Sequence, residues 1–187
     1  MAGAHVTVID PAPERLARVA DEAARLAVTV DPVLANWPQV AVAHHDVVVS
    51  VGTLRQHRDL PAALRAMVLH ADRLVLCADD PGMPAPHEEV MAALTGEPLL
   101  RRPPRHLLIA GVLAELGLTA DVRIVTGVHT VTAPHRAELA RRLAGGPLPQ
   151  RTGERLLDLL APMLSRTSTE GWRYRCPRRT GLVVCPV

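Results

Sequence analysis

A short apolar strand that ends in a carboxylate and turns at once into a helix opens this chain. His5-Val6-Thr7-Val8-Ile9-Asp10-Pro11 reads as a buried parallel strand ending in a carboxylate, and Pro13 fits the first turn of a following helix. In that helix Leu16, Val19, Ala20 and Ala23 recur at the spacing of one buried face. A strand feeding a helix with almost no connection constrains the chain to an α/β architecture.

The same grammar continues through the first half. Val28 to Val30 reads as a short strand ended by Asp31-Pro32, and Asp46-Val47-Val48-Val49-Ser50-Val51 as a central parallel strand, apolar on both faces. Asp59 is placed to cap a helix over Leu60 to Leu69, and Arg73 to Ala78 supplies a fourth strand. The second half is less regular. A turn-rich connector from Asp79 to Pro86 leads to helices over His87 to Leu94 and over Arg105 to Leu116, the latter stopped by Gly117. Val122 to Val125 reads as a strand that Val128 to Val131 can continue. Helices follow over Pro134 to Leu143 and Glu154 to Leu164, the second disturbed at Pro162. Trp172 to Arg175 and Leu182 to Cys185, joined by a Pro-Arg-Arg-Thr-Gly turn, read as a terminal hairpin.

Composition narrows the classes. With 187 residues, 48% of them apolar, the chain has the size of one domain with a real core. Its formal charge is only +2 and all 21 Lys-or-Arg positions are Arg, so the pairs Arg101-Arg102, Arg141-Arg142 and Arg178-Arg179 read as solvated faces. Aromatics make up 2%, too few for the stacking platform of a single-stranded nucleic-acid binder, and no nucleic-acid partner is expected. Cys77, Cys176 and Cys185 are odd in number and contain no Cys-x-x-Cys pair, which fits a reducing, cytoplasmic location. No apolar run approaches the roughly 18 residues of a membrane span, so no membrane partner is expected.

Candidate chemistry begins at Asp10. Open α/β sheets bind ligands beyond the carboxyl ends of their strands, where an acidic side chain can accept from the vicinal hydroxyls of a ribose; Asp is equally a helix cap. Asn36-Trp37 can form a turn and fill core. His57 can act as a base near neutral pH or cap a helix. Adjacent His44, His45 and Asp46 would point to opposite faces of a strand, which argues against a metal site.

Three stretches, Val6 to Leu16, Ala35-Asn36-Trp37, and Asp46 to Ser50 followed by Leu54 to Leu60, together resemble class I S-adenosylmethionine-dependent methyltransferases. Gly171-Trp172 through Val184 is similar to the closing hairpin of bacterial members. The resemblance implies a Rossmann-like α/β fold, its sheet mostly parallel with a C-terminal antiparallel hairpin. Residues 1-80 would form the remaining cofactor-binding half of one domain, and 81-187 its substrate side.

Carried over residue by residue, Asp10 would hold the ribose of S-adenosylmethionine and Pro11-Ala12 would line its adenosine. Asn36 would accept from the adenine amino group, in place of the family's usual Asp, and Trp37 would pack on the ring. Ser50-Val51-Gly52 would face the sulfonium and the acceptor, and His57 would serve catalysis. The family's first strand and its Gly-x-Gly turn have no counterpart here, which implies two unpaired edges facing each other. The implied partners are a small-molecule methyl acceptor and a protein partner or homodimer that completes the sheet. The alternative function is a noncatalytic, methyltransferase-like subunit that stabilises a partner enzyme.

Overall fold

The computed structural model describes residues 4–79, 81–82, 84–99, 103–168 and 171–187. The expected solvated pair Arg101-Arg102, and Asp80 and Met83 of the connector, lie outside the described residues. Among the described residues seven strands and six α-helices form in the order β1 (Val6–Asp10), α1 (Pro13–Leu26), β2 (Val30–Leu34), β3 (His45–Val51), α2 (Leu60–Leu69), β4 (Ala71–Asp79), α3 (Pro86–Thr95), α4 (Arg105–Glu115), β5 (Asp121–Ala133), α5 (Arg136–Ala144), α6 (Gln150–Leu159), β6 (Leu164–Thr167) and β7 (Gly171–Pro186). Among the described residues no helix is long and apolar enough to cross a membrane.

The strands divide into two sheets. β1 and β2 pair parallel by themselves, while β3, β4, β7 and β5 form a second sheet in that order, with β6 also pairing to β7. β3 and β4 are parallel, and all three pairings of β7 are antiparallel. The sheet is therefore mixed, parallel on its β3 side and antiparallel on the other. Among the described residues no ladder joins β1 to β3; at their amino ends the rings of His5 and His45 stack, with centroids 6.4 Å apart.

Two cores hold the larger sheet. One lies under α2 and α4, where Leu64, Met67, Ile109 and Leu113 meet Val75, Cys77, Val183 and Cys185. The other lies between α3, α5 and α6 and the far halves of β5 and β7, around Leu139, Leu156, Leu157 and Tyr174. Helix α1 joins neither core. It packs on β1 and β2, burying Leu16 and Ala23 while Ala20 stays exposed. The opposite face of β3 is consequently open: Val47, Val49 and Val51 are 44%, 56% and 66% exposed, where the sequence predicts a strand covered on both faces.

The helix expected over Glu154 to Leu164 instead spans Gln150–Leu159, and two strand boundaries differ from expectation for one shared reason. β2 runs through Asp31-Pro32, with Pro32 opposite Val8. β7 runs straight through Pro177-Arg178-Arg179-Thr180-Gly181, where a turn is predicted. Proline lacks only the amide donor, which is harmless on a strand's open side. β2 has an open outer edge, and β7 at Pro177 has β5 alone as neighbour, because β4 pairs only from Gly181 onward and β6 only up to Tyr174. The antiparallel hairpin is instead made by β6 and β7. Gly181 serves close packing: a Cβ there would lie 2.4 Å from Cβ and Cγ of His106.

Candidate functional site

β1, β3 and β4 end in Asp10, Val51 and Asp79. At the first, one oxygen of the Asp10 carboxylate accepts from the Ala12 amide at 2.8 Å, which turns the chain into α1, and the other lies 3.4 Å from the Arg15 guanidinium. The N-cap of α1 is Ala12, without a side-chain cap bond, so Asp10 forms a turn ahead of the helix and does not cap it, and a carboxylate with about four lone-pair sites keeps capacity for further donors. The Ala35 amide donates to the Asp10 carbonyl at 3.4 Å, which brings Asn36 to the same strand end beside Pro11 and Ala12.

Trp37 is held elsewhere. Its indole N–H donates to the Ala63 carbonyl at 3.1 Å, and its ring meets His70 edge-on at 5.7 Å, so it packs along α2. Asn36 opens a turn closed by the Gln39 amide. His44 pairs with Asp72 at 3.0 Å, and His5 with Asp31 at 2.7 Å. No group of three or more His, Cys, Asp or Glu side chains suited to a metal ion occurs among the described residues.

After β3 the backbone turns sharply. Gly52 has φ +64°, a left-handed conformation that disfavours a side chain, its amide donates to the Ala78 carbonyl at 2.8 Å, and no atom lies within 4 Å of where a Cβ would stand. The hydroxyls of Ser50 and Thr53 close the turn at 2.7 Å. The carbonyl of buried Leu54 then accepts from the His57 amide at 3.1 Å and from the Arg105 guanidinium at 3.0 Å. Arg105 also lies 4.0 Å from Asp79, whose side chain is buried at the end of β4. One arginine at the start of α4 thus ties the turn that carries His57 to the neighbouring strand end.

Sequence reasoning misses this Arg105–Asp79 pair, and it misses a cluster in which His87 of α3 meets His129 of β5 and Tyr174 of β7. Burial, with Arg178 as a further cause, lowers the pKa of both imidazoles below the ordinary histidine value. Burial and Cys176 raise that of the Tyr174 phenol. A connector rich in Pro and Gly before a His was the only local signal.

No protein-family model and no curated protein matches this sequence. Solved structures do. A putative methyltransferase from Bacillus halodurans C-125 superposes with a TM-score of 0.58 over 98% of this chain and 83% of its own, at 10% identity. The chain has the class I methyltransferase fold. The magnesium protoporphyrin IX methyltransferase of Synechocystis PCC 6803, solved with S-adenosylhomocysteine bound, matches at 0.56 over 98% of this chain and 64% of its own, at 12% identity. The [4+2]-cyclase SpnF matches at 0.52 over 97% and 65%, at 13% identity. A methyltransferase fold therefore serves more than one named activity, and the reaction has to be argued from the site.

Proposed function

We propose that this protein is an S-adenosylmethionine-dependent methyltransferase acting on a small molecule. The observation that carries the reading is that Asp10 and the Ser50–Gly52 turn stand at the carboxyl ends of β1 and β3, one in each of the two sheets of this fold. The residues fit the cofactor at two points: Asp10 keeps acceptor capacity beyond its bond to Ala12, and the left-handed, uncrowded Gly52 lets a ligand approach the backbone. The cofactor would supply an electrophilic methyl group.

Asp10 would accept from the ribose hydroxyls, Pro11 and Ala12 would border the adenosine, and Asn36 would accept from the adenine amino group. Trp37, anchored to α2 through its indole N–H, would pack on the adenine ring. Ser50, Val51 and Gly52 would line the space between donor and acceptor. Methyl transfer is accelerated chiefly by holding the two reactants in line, so a fixed turn matters more than an acid–base pair. The pinning of the Leu54 carbonyl by Arg105 supports that rigidity, and His57, whose amide donates to the same carbonyl, would orient or deprotonate the acceptor.

Asp10→Asn tests the reading. It keeps an oxygen for the Ala12 amide while removing the charge, so folding should be retained and S-adenosylmethionine should bind about tenfold or more weakly. Equal affinity of the two proteins refutes the ribose assignment.

A second reading is favoured by the open β1 and β3 edges and by the exposed Val47, Val49 and Val51. In it the chain is a noncatalytic subunit whose sheet is completed by a protein partner or a second copy. Native mass spectrometry of the protein from its own cells separates the two: a heteromeric assembly without cofactor binding supports the subunit, and a cofactor-binding monomer excludes it.

A further inference from the structure

Past the end of β4, β5 and β7 continue together as a ribbon, and one face of that ribbon changes gradually from buried to open. Residues directly opposite one another share a face. Tyr174, Cys176 and Arg178 on β7 thus line up with Val131, His129 and Gly127 on β5. Tyr174 and Cys176 are buried, His129 is half-buried, and Gly127 and Arg178 are exposed. His87, in the first turn of α3, roofs the middle of this ramp. Its ring stands at 87° to Tyr174 with centroids 5.6 Å apart, lies within 28° of parallel to His129 at 6.2 Å, and puts Nδ1 3.4 Å from the Tyr174 hydroxyl. No atom lies within 4 Å of where a Cβ on Gly127 would stand, which leaves room opposite Arg178.

Among the described residues the charges around this niche are unbalanced. Arg178 disfavours the charged form of both imidazoles, Glu88 acts in the opposite sense on His87, and the Glu88 carboxylate also accepts from the Ala85 amide at 2.8 Å. Tyr174 and Cys176 are buried on the floor. A niche with an exposed guanidinium, two imidazole donors and one engaged carboxylate is complementary to an anion. We propose that it binds a carboxylate of the methyl acceptor, with Arg178 supplying charge and His87 and His129 supplying N–H donors. This rests on the methyl-transfer reading and narrows its substrate to an acidic small molecule.

Both imidazoles are held below their ordinary pKa in the free protein, and a carboxylate between them and Arg178 would raise them. Binding is therefore linked to proton uptake and tightens as pH falls toward the imidazole midpoints. The test is a titration of the full chain with benzoate, read from the ring-proton NMR signals of His87 and His129, assigned with His87→Gln and His129→Gln. Saturable shifts, higher midpoints for both rings and affinity about tenfold weaker in Arg178→Gln are expected. Arg175→Gln, on the opposite face of β7, should leave binding unchanged.

Absence of shifts, equal shifts with neutral benzamide, or equal weakening by Arg175→Gln overturns the proposal. Tighter binding of inorganic phosphate than of benzoate overturns the carboxylate assignment. Equilibrium dialysis of S-adenosylmethionine on the same samples keeps the two readings apart. Benzoate binding without cofactor binding refutes methyl transfer and leaves the anion niche standing, whereas cofactor binding without benzoate binding refutes the niche alone.

Discussion

Replacing Gly181 by Ala probes the joint between the sheet and the strand-end machinery. A Cβ at this position stands 2.4 Å from Cβ and Cγ of His106 and 2.8 Å from its Nδ1. Carbon atoms in contact prefer about 3.5–4.0 Å, so one partner must move by about 1 Å or more. Neither is free to do so: Gly181 is laddered to both Asp79 and Ile124, and His106 is buried in the first turn of α4. Overpacking of this kind costs about 1–3 kcal/mol. For a chain of this length that lowers Tm by about 3–10 °C.

Because His106 follows Arg105, displacing it should also loosen the guanidinium from Asp79 and from the Leu54 carbonyl. Differential scanning fluorimetry of Gly181→Ala, His106→Ala and the double variant forms a cycle. Removing the ring makes room, so the double variant should be more stable than the sum of the single losses allows, by about 1 kcal/mol or more. An unchanged Tm in Gly181→Ala, or strict additivity, refutes the packing argument.

Arg105→Ala removes the donor to the buried Leu54 carbonyl and the guanidinium 4.0 Å from Asp79 and should cost about 1–3 kcal/mol, measured by urea unfolding; unchanged stability contradicts the tie. Burial, then Asp79, then Cys185 push the Cys77 thiol up to about 12. An unfolded thiol ionises near 9 and the folded one does not, so the unfolded state holds fewer protons between these values and stability should fall as pH rises from about 9. Cys77→Ala should flatten that decline, and native Cys77 should resist iodoacetamide at pH 8, as checked by mass spectrometry. Val75 is wholly buried and Val49 is 56% exposed, so Val75→Thr should cost about 2 kcal/mol and Val49→Thr under about 0.5 in thermal melts of the isolated chain.

The parts of the fold legible in the sequence are those set by local periodicity. The helical faces around Leu64 and Leu139, the Asp59 cap, which accepts from the Ala62 amide at 2.9 Å, and the strands ending at Asp10 and Val51 all follow from spacing and end signals. Pro32 and Pro177 misled because their effect depends on which side of the strand has a neighbour, and only the assembled sheet decides that. The openness of β3 likewise concerns what lies across it, so Val47 to Val51 reads the same covered or bare.

At the candidate site, Asp10 and Gly52 were visible because strand ends and left-handed turns have residue preferences. Trp37 was visible as a residue but not as a neighbour of Ala63, 26 positions away. His87, His129 and Tyr174 lie on three elements, the His87–Tyr174 contact spanning 87 positions, and pairing of that range leaves no trace in a single sequence.

The most direct test of the account is equilibrium dialysis of labelled S-adenosylmethionine against the protein isolated under native conditions from its own cells, beside its Asp10→Asn variant. The account expects saturable binding near one cofactor per chain, weakened about tenfold or more by the substitution. No saturable binding, or binding indifferent to Asp10, would contradict it.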